Sequence, residues 1–138
     1  MAIKVLLADD SDLVRRAIRQ LLSDEPQIAL IGEARDFAQT IQMIHELQPH
    51  LVVLDLHMSD DRRISPPEFK NRINSTSTRV LAISVANDDA SQALAESFGA
   101  AKLLDKVNLG THLIPAIFQL ACPSSELPPS ELPSSELQ

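Results

Sequence analysis

A chain of 138 residues has room for one domain with a sizeable core, and not for two of ordinary size. Its 12 lysines and arginines against 19 aspartates and glutamates give a formal charge of −7, which argues against direct binding of nucleic acid or an anionic membrane, since both need a basic surface. The single cysteine, Cys122, cannot close an internal disulfide, no apolar run reaches the ~18 residues of a membrane span, and "MAIKVLLADD" breaks into acids too early for a signal peptide, so a cytoplasmic setting is expected.

Two hydrophobic periods alternate along the chain. Short β-branched and aliphatic runs predict strands at 3–8 (IKVLLA), 28–34 (IALIGEA), 51–55 (LVVLD), 79–84 (RVLAIS) and 101–105 (AKLLD). Between them the spacing is helical: Val14, Ile18, Leu21 and Leu22 share the first face, and Ile41, Ile44 and Leu47 the second. A third helix over 66–73 is predicted by "SPPEF", which supplies a serine cap and prolines at the first helical positions, where a missing N–H is harmless. Ala90, Leu94 and Phe98 mark the fourth face, with Gly99 as its left-handed cap, and Leu113, Ile117 and Leu120 mark the fifth. Pro115 inside that last pattern predicts a kink or a late start.

Five strands alternating with five helices read as βαβ units, and right-handed crossovers make them a parallel sheet covered on both faces. Beyond Cys122 the units "SSELP", "PSELP" and "SSELQ" are too rich in proline and serine to bury a core. The expected division is a folded domain over 1–122 and a disordered Pro/Ser/Glu repeat tail over 123–138.

In such a sheet, ligands gather at the carboxyl ends of the strands. Those ends carry Asp9 and Asp10 after the first strand, Asp55 at the third, Ser84 at the fourth and Lys106 just past the fifth. A buried carboxylate is costly unless capped, exposed or paired with a cation. Three of them on one edge suit a hard divalent cation such as Mg²⁺, with water completing its shell. Asp55 is then placed to attack phosphorus and form an acyl phosphate, while Lys106 and Ser84 contact phosphoryl oxygens. Taken singly, Asp9 and Asp10 read as caps of the first helix, Asp55 as a turn cap, Ser84 as a small strand-end residue and Lys106 as a solvated charge. The functional reading accounts for all five at one edge. His45, His50 and His112 have no metal-ligand spacing.

Through "LLADDSDLVRRAIRQLL", "PHLVVLDLHM", "VLAISVAND" and "GAAKLLDK", the sequence over 1–121 resembles the response-regulator receiver domains of the CheY-like family, its opening most like receivers that precede helix-turn-helix output domains. The resemblance implies a doubly wound, flavodoxin-like α/β fold of (βα)5 form with strand order 2-1-3-4-5. It implies phosphotransfer to Asp55 from a sensor histidine kinase or histidine phosphotransfer protein. Mg²⁺ is expected on Asp10, Asp55 and the backbone carbonyl of His57, with Asp9 acting through water. Movement of Ser84 and Lys106 is expected to reshape the face of the fourth helix, fifth strand and fifth helix, through which a homodimer or a downstream protein would bind. No output domain of its own is expected.

Several positions depart from the family. The switch aromatic is Leu103, with neither ring nor hydroxyl, and the proline after the lysine is Val107. A cis bond before a non-proline residue costs about 2.5–4 kcal/mol, so Lys106–Val107 is expected to be trans. After Asp55, Ser59 stands where proline is common, the usual glycine is missing, and Asp60 and Asp61 are expected to add negative charge near the metal. Leu103 and Val107 favour an alternative, a receiver-shaped interaction module that works without phosphorylation, which the intact acids, Ser84 and Lys106 oppose. A haloacid-dehalogenase type phosphatase is opposed by His57 in place of a second acid, and a flavodoxin-like nucleotide binder by "ADDSD" in place of a glycine-rich cradle.

Overall fold

The computed structural model describes residues 2–121, so Cys122 and the repeat tail over 123–138 lie outside the described residues. Five strands, β1 (Ile3–Ala8), β2 (Ile28–Ala34), β3 (Leu51–Asp55), β4 (Arg79–Ser84) and β5 (Lys102–Asp105), form one parallel sheet in the order β2-β1-β3-β4-β5. The helices are α1 (Asp12–Ser23), α2 (Phe37–Leu47), α3 (Pro66–Ile73), α4 (Asp89–Ser97) and α5 (Leu109–Ala121). None is long and apolar enough to cross a membrane.

Alternation along the strands builds two apolar layers. Leu6, Val52, Leu54 and Ala82 face one side with Phe37, Ile41 and Ile44 of α2, Phe69 of α3 and Ala95 of α4. Val5, Leu7, Val53, Leu81 and Ile83 face the other with Ile18 and Leu22 of α1 and Leu113, Ile117 and Leu120 of α5. Burial on both sides explains the uninterrupted apolar runs of β3 and β4.

Local chemistry sets the helix ends. Ser65 accepts from the Glu68 N–H ahead of two prolines, as "SPPEF" predicts. Gly99 adopts φ +82, and paired bonds from Gly99 N to Glu96 O and Ala100 N to Ala95 O close α4. On α4 the expected Phe98 is buried and Leu94 packs partly buried on the core, whereas Ala90 is exposed and Ser91 and Ala95 are buried in its stead. Leu47 is 38% exposed, since it ends α2 over the edge strand rather than the sheet centre. Instead of starting late, α5 runs from Leu109 through Pro115, which is exposed.

Candidate functional site

The ends of β1, β3 and β4 and the turn after β5 meet at the carboxyl edge of the sheet. Asp9 is fully buried, its backbone N–H bonded to the Ala34 carbonyl of β2. Its Oδ1 accepts from the Ser11 N–H at 2.9 Å, and Ser11 Oγ accepts in turn from the Val14 N–H at 3.2 Å. Ser11 is therefore the cap of α1. Asp9 braces that cap through the Ser11 N–H with one oxygen, and neither Asp9 nor Asp10 is itself the cap residue.

Asp55 ends β3 with only 4% exposure, and Ser84 ends β4 equally deep. Carboxylate oxygens of Asp9, Asp10 and Asp55 lie within 4.8 Å of one another, with Asp10 exposed and the other two buried. Lys106 opens a single 3-10 turn (Lys106–Asn108) whose first residues are set by Asp105, the acceptor for the Asn108 N–H at 3.0 Å. Its Nζ reaches Asp9 Oδ2 at 2.9 Å and Asp55 Oδ1 at 3.4 Å, so the lysine read singly as a solvated charge is an ion-pairing group with a 19% exposed side chain. The approach to Asp9 Oδ2 neutralises charge without hydrogen-bond alignment, leaving that buried oxygen without a directed donor.

The electrostatics follow from this crowding. Burial, and then the neighbouring charge of Asp9, push Asp55 up to about 6, against the pull of Lys106 and the His57 N–H. Burial acts to lower Lys106, but its contact with Asp9 and the charges of Asp55 and Asp9 outweigh this and hold it above the ordinary lysine value. Three carboxylates against one ammonium, with an oxygen lacking a donor, form a hard-oxygen set with the chemistry Mg²⁺ requires. His57 is exposed and gives its N–H to Asp55 Oδ1 at 3.3 Å.

Three supporting residues escape a reading based on strand ends. Arg15 is buried on α1; its Nη1 donates to the Asp9 carbonyl at 2.6 Å, its Nε to Glu33 Oε1 at 3.2 Å, and its Nη2 to Asp12. Its sequence signal was an arginine spaced i, i+3, i+7 with Ile18 and Leu22 on a buried stripe. Glu33 also binds Arg19, whose hydrogen bonds, with help from Arg15, outweigh burial and hold Glu33 below the usual carboxylate range. The third is Asp60. Its carboxylate accepts from the Phe37 and Ala38 N–H groups at the start of α2 at 2.8 and 3.0 Å, a structural role that its expected charge near the metal did not include. Only Asp61 of that pair remains fully exposed.

The departures on the output side have structural counterparts. Among the described residues there is no cis peptide, so the Lys106–Val107 bond is trans as expected, and Val107 is 85% exposed beside the site. Leu103 is buried in the apolar layer shared with Phe98 and Ile64.

Residues 5–118 match the response regulator receiver domain family. The nitrate/nitrite response regulator protein NarL of Escherichia coli (strain K12) is 33% identical over 117 residues, which are 85% of this chain and 54% of NarL. The chain thus spans about half the length of that relative. Among solved structures, the signal receiver domain of a response regulator NarL from Mycobacterium tuberculosis superposes with a TM-score of 0.77 at 28% identity, covering 87% of this chain and 96% of that one. The response regulator domain of Thermotoga maritima CheB does so at 0.76 and 22% identity, over 88% and 97% of the two chains, a likeness of fold.

Proposed function

The chain belongs to the response regulator receiver domain family, and on that premise we propose that it is a phosphoryl-accepting module of a two-component system with Asp55 as the acceptor. The observation that carries this reading is the convergence of Asp9, Asp10 and Asp55 within 4.8 Å, with Lys106 Nζ 3.4 Å from Asp55. In this reading an Asp55 carboxylate oxygen attacks the phosphorus of a phosphohistidine. The P–O bond forms as the P–N bond breaks, and the imidazole leaves with a proton. Lys106 pairs its ammonium with a phosphoryl oxygen, and the Ser84 hydroxyl donates to another. Arg15 holds the Asp9 carbonyl and so fixes the β1–α1 turn that carries the acids.

Receiver domains generally bind Mg²⁺ through acidic residues. Here Asp10, Asp55 and the His57 backbone carbonyl would hold it, with Asp9 through water. When bound, the cation supplies neutralisation of the charge on the transferring phosphoryl oxygens. The donor is assigned as a sensor histidine kinase or histidine phosphotransfer protein, and the output as protein contact or homodimerisation through α4, β5 and α5. The acidic composition supports neither direct nucleic-acid nor membrane binding.

Incubation with a small acyl-phosphate donor and Mg²⁺ is expected to add the mass of one phosphoryl group to wild type and nothing to Asp55→Asn. A wild type that gains no mass overturns this reading. It leaves instead a receiver-shaped interaction module independent of phosphorylation, the reading that buried Leu103 and exposed Val107 favour.

A further inference from the structure

Residues 56–65, which join β3 to α3, form neither strand nor helix and contain no glycine or proline to restrict their path. Something else has to hold this segment, because His57 lies within it and Asp55 opens it. Met58 and Ile64 anchor it from below as buried apolar plugs. Asp60 is its fulcrum: its carbonyl accepts from Arg63 N at 3.0 Å and Ile64 N at 3.2 Å, closing the turn that brings the chain back toward α3. Its carboxylate reaches outward to a different element, 23 residues earlier in the chain, and takes the first two N–H groups of α2 at 2.8 and 3.0 Å. The helix does not depend on Asp60 for its cap in the ordinary sense. Asp36 already fills that position, accepting from Gln39 N at 2.7 Å.

We infer that Asp60 is a positioning residue for the phosphoacceptor site: its carboxylate clamps the β3–α3 loop to the start of α2 and so holds the His57 carbonyl where a cation shared with Asp10 and Asp55 can use it. The inference rests on the phosphoryl-acceptor reading of Asp55. Two directed bonds from one carboxylate to two adjacent amides fix orientation as well as distance. Residues that orient metal ligands without touching the metal typically change affinity by about 10–100-fold when removed. With Ser59 and no glycine, this loop draws from α2 the rigidity that a local proline would otherwise supply.

A merely structural cap would behave differently, and Asp36 supplies the control. Calorimetric titration of the full chain with Mg²⁺ is expected to show binding about 10-fold weaker in Asp60→Ala than in wild type. Asp60→Asn, which keeps one acceptor oxygen, should fall between them. Asp36→Ala, which uncaps the same helix without touching the loop, should bind within about twofold of wild type even though α2 is weakened. Far-UV circular dichroism on each variant establishes that the fold is retained, and Asp60→Asn carries the comparison if Asp60→Ala does not fold. Equal Mg²⁺ affinity in wild type and the Asp60 variants overturns the inference, as does an equal loss in Asp36→Ala. Phosphoryl uptake by wild type, measured alongside, separates the two levels. No uptake by wild type overturns the Asp55 reading, whereas normal uptake with unchanged Mg²⁺ affinity in the Asp60 variants overturns only the role of Asp60.

Discussion

Removing the proposed phosphoacceptor should stabilise the metal-free protein. Asp55 is raised from 3.8 to about 6 because it is buried and faces Asp9, so ionising it in the folded state costs about 3 kcal/mol more than in the unfolded chain, at 1.36 kcal/mol per pK unit. The sign follows directly: between roughly pH 4 and 6 the folded protein binds more protons at this group than the unfolded chain does. Stability therefore falls as pH rises through that window and levels off near pH 7. Asp55→Asn keeps the oxygen that accepts the His57 N–H but carries no charge. In EDTA its advantage over wild type should grow by about 2 kcal/mol between pH 4.5 and pH 8, the carboxylates remote from Asp55 cancelling in the comparison. At a urea slope of about 2 kcal/mol/M, that is a midpoint difference widening by roughly 1 M. The chain has no Trp or Tyr, so far-UV circular dichroism is the readout. Saturating Mg²⁺ should stabilise wild type by mass action and narrow the gap. A gap that stays constant or shrinks with rising pH in EDTA refutes the reasoning, because it would mean that burial and Asp9 do not penalise the charge on Asp55.

Three further outcomes are expected. Lys106→Met removes the cation 2.9 Å from Asp9 and 3.4 Å from Asp55, and in EDTA at pH 8 should cost about 2 kcal/mol, less than a fully buried pair because the lysine is partly exposed; Mg²⁺ should recover most of it in the same urea titration. Arg15→Leu leaves the Asp9 carbonyl without its donor and Glu33 with only Arg19, and should cost about 3 kcal/mol; Arg15→Lys should not restore it, since an ammonium lacks the fork that spans both acceptors. Gly99→Ala places a Cβ at φ +82 against the Lys70 stem and should lower stability by about 1 kcal/mol by thermal unfolding, with Gly99→Asn milder.

The parts legible in the sequence were those written in local periods. Strand runs at 3–8, 28–34, 51–55 and 79–84 and the α3 span 66–73 coincide with the observed elements, because buried parallel strands must be apolar throughout and "SPPEF" carries its own start signal. On α4 the expected Leu94 and Phe98 pack on the core but Ala90 does not. Stripes through Ala90 and through Ser91 both have helical spacing, and tertiary packing, with Phe98 against Phe37 and Phe69, buries Ser91 and Ala95 instead. The edge holding Asp9, Asp10, Asp55, Ser84 and Lys106 was likewise legible, since a parallel sheet puts all its strand ends on one side.

What the sequence determined by itself is therefore a doubly wound domain with acids, a hydroxyl and an ammonium at one edge, because those properties depend on residue type and spacing along a few turns or strands. Tertiary structure alone decided which groups meet. Ser11 rather than the acids caps α1, Lys106 lies nearer Asp9 than Asp55, Arg15 crosses 18 residues to Glu33, and Asp60 binds the start of α2 across 23 and 22 residues. Each of these is a choice among several nearby partners of suitable charge. It is settled by the sheet order, which brings β1, β3 and the start of α2 together at distances no local pattern encodes.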